Sequence, residues 1–104
     1  MRYVSTRGAA AERDFGDVLL EGLATDGGLY VPETWPRLPG LAVDTPYAVA
    51  AAEIMWPFVD GTLERPEFEA IVNDAYATFR TPEGSSPDVV PVVDLGDDLW
   101  LAEL

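Results

Sequence analysis

The sequence predicts an α+β domain: three helices with short strands and a C-terminal β-hairpin. Apolar residues recur at helical spacing in three separate stretches. Short β-prone runs lie between and after them, bounded by Gly, Pro or Asp. With 104 residues, 48% of them hydrophobic, the chain suffices for one packed core, so residues 1–104 read as a single domain.

Taken in order, Arg2 to Thr6 forms a short strand that runs into a polar loop, Thr6-Arg7-Gly8. Asp14 suits a helix N-cap, with Asp17 three residues on in the capping-box position. Phe15, Val18, Leu19, Gly22 and Leu23 then follow at helical spacing, which predicts a helix over 15–24. Thr25-Asp26-Gly27-Gly28 is expected to stop it, since Gly accepts the positive φ that follows a helix end. Leu29-Tyr30-Val31 reads as a strand closed by Pro32, and the proline-rich stretch 32–40 as a stiff connection.

Thr45 suits the cap of a second helix, with Pro46 at its first position. Tyr47, Ala50, Ala51, Ile54, Met55 and Phe58 mark its expected apolar face. Pro57 lies inside that pattern and is expected to kink or end the helix, because it lacks a backbone donor. The third helix has the cleanest periodicity. Pro66 starts it, and Phe68, Ile71, Val72, Ala75, Tyr76 and Phe79 share one face. Thr81 to Pro87 reads as a loop. Val89–Leu95 and Leu99–Leu104 then read as hairpin strands around Gly96-Asp97-Asp98. The second strand is still apolar at Leu104, so it is expected to be cut short or completed from outside.

Composition excludes much chemistry. Six basic and nineteen acidic residues give a net charge of −13, and all six basic residues are Arg. A phosphate backbone or an anionic lipid surface would repel such a domain, so neither nucleic acid nor membrane is an expected partner. No basic-then-apolar segment opens the chain, and no apolar stretch approaches the ~20 residues of a membrane helix. A soluble, cytoplasmic protein is therefore expected. The sequence contains no Lys, His or Cys. Without Lys there is no Schiff base to a carbonyl, and without His the commonest general acid–base is missing. Zinc would lack its preferred ligands. No catalytic, cofactor-binding or metal residue is assigned.

Three constellations remain. Asp26-Gly27-Gly28-Leu29-Tyr30 suits a helix end feeding a strand, and equally a tight turn that offers backbone donors to a ligand. Ser5-Thr6-Arg7-Gly8 suits phosphate or carboxylate binding, although a single Arg also suits a surface ion pair. Asp94, Asp97, Asp98 and Glu103 lack the spacing of a calcium loop and read as a polar hairpin turn. Trp35, Trp56 and Trp100 read as core or interface anchors.

Several of these segments, in this order, resemble the N-terminal domain of threonine synthase. Met1-Arg2-Tyr3-Val4-Ser5-Thr6-Arg7-Gly8 resembles the family's M-[KR]-Y-x-S-T-R opening. Phe15 with Asp17 to Leu20 and Gly22-Leu23-Ala24 resembles its first helix, and Asp26 to Pro32 its D-G-G-L-Y-x-P segment. Ala75-Tyr76 with Phe79, then Val90-Pro91-Val92 and Leu99 to Leu104, resemble the end of its third helix and the approach to its catalytic region.

The resemblance implies a pyridoxal-phosphate lyase that converts O-phosphohomoserine and water to threonine and phosphate. In that family the cofactor's Lys lies in an H-G-P-T-x-x-F-K-D segment, which this sequence does not contain. The implied role is therefore an accessory domain, inactive alone, that packs on a catalytic region. Ser5, Thr6, Arg7, Asp26, Gly27 and Gly28 are the candidates nearest the entrance for its small-molecule substrate. Two further readings stand beside it: a free-standing interaction module derived from that domain, and the same domain on a related pyridoxal-phosphate lyase. An exposed apolar C-terminal strand is expected to promote self-association.

Overall fold

The computed structural model describes residues 1–59, 61–79 and 89–103. Its elements run β1 (Tyr3–Ser5), α1 (Phe15–Glu21), β2 (Tyr30–Pro32), α2 (Tyr47–Val59), α3 (Arg65–Ala77), β3 (Val92–Gly96) and β4 (Leu99–Ala102). The expected α+β architecture is therefore present. The expected loop from Thr81 to Pro87 and the strand's last residue, Leu104, lie outside the described residues.

β1 and β2 pair antiparallel, with Tyr3 opposite Pro32, Val4 opposite Val31 and Ser5 opposite Tyr30. Pro32 contributes no donor, so it fits only at the strand end it occupies. On its other side β1 meets Arg13: the Tyr3 amide donates to the Arg13 carbonyl at 2.8 Å, and the Arg13 amide donates back at 3.1 Å. β1 is thus held from both sides although it is only three residues long.

Asp14 caps α1 as its residue type predicts, its carboxylate accepting from the Asp17 amide at 2.9 Å. The helix stops earlier than 15–24, because Gly22 takes φ 73° while its amide still bonds the Val18 carbonyl. The stop is therefore Gly22, and Thr25 to Gly28 forms a separate turn.

α2 and α3 pack against each other and make the core. Ala52, Val59, Phe68 and Val72 are buried, with Phe15, Ala51, Met55, Trp56, Leu63 and Tyr76 partly buried around them. This corrects part of the apolar face expected for α2, of which Ala51 and Met55 do pack on the core. The buried side runs through Ala52 and Val59, whereas Tyr47 and Ile54 stay exposed. The reason is the approach direction of α3, which meets α2 along the Ala52–Trp56–Val59 line. The rest of the expected face lines a shallow apolar hollow with Tyr47, Ala50, Ile54 and Tyr76 at its walls and Ala51 and Met55 between it and the core. On α3 the periodicity is right at Phe68 and Val72, but Ile71 and Phe79 remain exposed.

Pro57 does not end α2, which continues to Val59. Near the helix end the Tyr3 hydroxyl donates to the Phe58 carbonyl at 2.9 Å, satisfying one of the terminal acceptors a helix leaves open. Arg65 fastens the helix pair. Its guanidinium bonds Glu53 on α2 and Glu69 on α3, the latter at 2.7 Å, and lies 5.7 Å from the Trp56 ring centre.

β3 and β4 form the expected hairpin. Asp97 and Asp98 have φ 53° and 59°, as the two-residue type I′ connection requires. Asp94 accepts from the Gly96 amide at 2.8 Å, so this carboxylate serves the turn. The register shifts between Asp94 and Gly96, leaving Leu95 as a bulge.

Candidate functional site

The two polar segments singled out in the sequence lie together. The pairing of β1 with β2 brings the loop after Ser5 over the turn that precedes Tyr30. The Thr6 amide donates to the Leu29 carbonyl at 2.8 Å, and Thr6 Oγ1 accepts from the Leu29 amide at 3.0 Å. Ser5, Thr6, Arg7, Asp26, Gly27 and Gly28 thereby become one structure.

Its centre is the Asp26 carboxylate. Oδ1 accepts from the buried Ser5 hydroxyl at 2.8 Å and from the Gly28 amide at 2.9 Å. Oδ2 accepts from the amides of Ala9 and Ala10 at 2.9 and 3.0 Å. Ser5 Oγ in turn accepts from the Arg7 amide at 3.1 Å. One carboxylate therefore ties together three stretches of chain. The Gly28 amide first, and then the Ser5 hydroxyl, hold the Asp26 carboxyl down at about 2, with smaller support from Ala9 and Ala10 against partial desolvation. An acid this strong, with four donors already on it, is a poor general base. Its chemistry is to hold the loop.

Both glycines are required here. Gly27 has φ 77°, and a Cβ on it would stand 2.8 Å from an Arg7 guanidinium nitrogen. A Cβ on Gly28 would stand 2.3 Å from Ser5 Oγ. The turn is thus built for close approach of the two loops. Arg7 lies across it, donating from Nη1 to the Asp26 carbonyl at 3.0 Å. Arg2, Arg13 and Arg65 have carboxylate partners; among the described residues Arg7 and Arg37 do not. Arg7 therefore presents an exposed guanidinium from a fixed base.

Reading by residue type missed the amides of Ala9 and Ala10. The only local hint is Gly8, whose φ of 72° turns the chain back over Asp26. A neighbouring cluster was missed as well. Glu21 accepts from the Tyr30 hydroxyl at 2.8 Å and from Arg13 Nε at 2.9 Å. These two bonds, Tyr30's first, lower the Glu21 carboxyl below its ordinary range, and the same contact raises the Tyr30 hydroxyl. This cluster ties the end of α1 to β2.

Residues 2–76 match the family model described as the threonine synthase N terminus. The chain belongs to that family. A threonine synthase of Pseudomonas aeruginosa is 44% identical over 108 residues, spanning all of this chain and 22% of the relative. One from Corynebacterium glutamicum is 40% identical over 113 residues, again spanning all of this chain and 23% of the relative. The solved PLP-bound threonine synthase of Brucella melitensis matches with a TM-score of 0.81 and 35% identity, over 99% of this chain and 22% of that one. The chain thus spans about a fifth of the length of the threonine synthases it matches. In this chain the Asp26 carboxylate is saturated by internal donors, so the turn it centres joins segments of the fold. No described helix is long and apolar enough to cross a membrane.

Proposed function

We propose that this chain is the accessory N-terminal part of a cytoplasmic threonine synthase, a lyase that converts O-phosphohomoserine and water to threonine and phosphate. The observation that carries this reading is the likeness to threonine synthases across the whole chain, by sequence and by fold. The residues of this chain do not fit pyridoxal phosphate as a covalent cofactor, because the sequence contains no Lys. The cofactor is assigned to the catalytic region of the longer enzyme, and this chain's part is to pack on that region and shape the substrate entrance. Arg7 is the residue suited to meet a substrate phosphate: its guanidinium is exposed, lacks a carboxylate partner among the described residues, and is held by the Asp26 turn.

The test is a chimera in which this chain replaces the matching N-terminal stretch of the Pseudomonas aeruginosa threonine synthase. It is expected to form threonine from O-phosphohomoserine. A soluble, cofactor-loaded chimera without activity would count against the reading. In the active chimera Arg7→Ala is expected to raise KM for O-phosphohomoserine with little change in kcat. An unchanged KM removes Arg7 from the entrance.

A further inference from the structure

The hairpin differs from the rest of the chain in having no covered face. Cross-strand partners share a side of a sheet, so Val92, Asp94, Trp100 and Ala102 lie on one face, and Val93 and Leu101 on the other with Leu99. Apart from Asp94, whose carboxylate serves the turn, both faces are apolar, and both are open: Trp100 is 62% exposed and Leu99 59%. An antiparallel hairpin lying on its own domain alternates apolar and polar along each strand. Strands buried on both sides are instead continuously apolar. With Asp94 as the one interruption, this hairpin is close to the second pattern and has the surroundings of neither.

Two further observations separate it from the helical core. The family model ends at residue 76, one residue before α3 does, and leaves the hairpin out. The likeness to the Brucella melitensis protein nevertheless continues to 99% of this chain, in a polypeptide of which the chain covers 22%. In that protein a large body of chain is available to cover the matching segment.

We infer that β3 and β4 are an insertion element: apolar side chains of the catalytic region that follows in threonine synthases cover both hairpin faces, which fastens the N-terminal module to that region. This rests on the proposed function and adds the surface through which the parts join. The −13 charge leaves little electrostatic reason for two copies to approach, so the longer enzyme's own chain, and not a second copy, is the occupant. An isolated two-stranded hairpin is marginal in water. It gains its stability from the layers that close over it.

Amide hydrogen exchange tests this, on the 104-residue chain alone and in the chimera described above. In the isolated chain, amides of α2 and α3 are expected to be protected while those of 92–102 exchange freely. In the chimera the hairpin amides are expected to slow by on the order of 100-fold or more. Trp100→Asp and Leu101→Asp, one on each face, are expected to leave the Tm of the isolated chain unchanged and to lower that of the chimera. Hairpin protection equal to that of α3 in the isolated monomer overturns the inference, as does a hairpin that stays unprotected in the folded chimera. A closed dimer of the isolated chain with protected hairpin amides overturns it in favour of a second copy. Threonine formation by the chimera reads the proposed function separately, so a failure of one is distinguishable from a failure of the other.

Discussion

Asp26 shows how much one carboxylate can organise when every lone pair is used. Its four donors are Ser5, Ala9 and Ala10, which lie 16 to 21 residues away in sequence, and Gly28 in its own turn. Because its folded-state pKa lies near 2, below the ordinary Asp value, its contribution to stability is complete above about pH 4 and is lost as pH falls toward 2. Asp26→Asn is therefore expected to lower Tm at pH 7 by several degrees, with the gap to wild type narrowing between pH 4 and pH 2. Thermal melts of both proteins across that range measure it, and the comparison cancels the relief of self-repulsion that acid brings to so acidic a chain. A gap that does not depend on pH would show that the carboxylate is not the organising group. The two glycines beside Asp26 differ in what they protect. Gly28→Ala drives a methyl into the buried Ser5 hydroxyl and is expected to cost about 1–3 kcal/mol in chemical denaturation. Gly27→Ala meets the mobile end of Arg7, so it displaces the guanidinium as well as straining the backbone.

At the scale of elements, the helix pair carries the stability. α2 and α3 share the buried set Ala52, Val59, Phe68 and Val72, and Phe68 is its largest side chain. Phe68→Ala is expected to cost ~3 kcal/mol or more, since it removes the ring that packs on Trp56 at 5.7 Å and leaves a void. A domain this small has little stability to spare, so circular dichroism of that variant is expected to show much of the helix lost at room temperature. Native-like melting would move the core elsewhere. Four of the element readings illustrate what short-range pattern can resolve. The Asp14 cap and the start of α3 at its proline were legible, because capping and proline placement act within one turn of chain. The end of α1 was misplaced, because Gly22 and Gly27 are both competent stops and only the bond from Gly22 to Val18 selects the first. The buried face of α2 was misplaced in part, since Ala51 and Met55 pack on the core but Tyr47 and Ile54 do not. Apolar residues line it almost all round, with Glu53 its one charged residue, so periodicity in the sequence cannot mark the side that α3 will cover.

The whole molecule exposes more surface than its size calls for. Its accessible area is 7763 Å², against ~5,700 Å² for a compact monomer of this mass. Its radius of gyration is 17.1 Å, where about 13 Å is usual. Leu19, Leu20 and Leu23 on and just after α1, Trp35 in the connection, and the hairpin all contribute open apolar area. Such a molecule is expected to associate loosely at high concentration, with an average mass that climbs without settling at a dimer. Sedimentation over a concentration series measures this. A constant monomer mass throughout would show that the open area is too dispersed to adhere.

The order of elements, the Asp14 cap, the hairpin with its turn and the lack of any lysine for a cofactor follow from the sequence by itself, because each depends on residue type or on neighbours within a few positions. The joining of Ser5 to Asp26, 21 residues apart, and the side of α2 that is buried were decided only by the tertiary structure. Those depend on where distant segments meet, and a meeting of that kind leaves no period in the sequence to read.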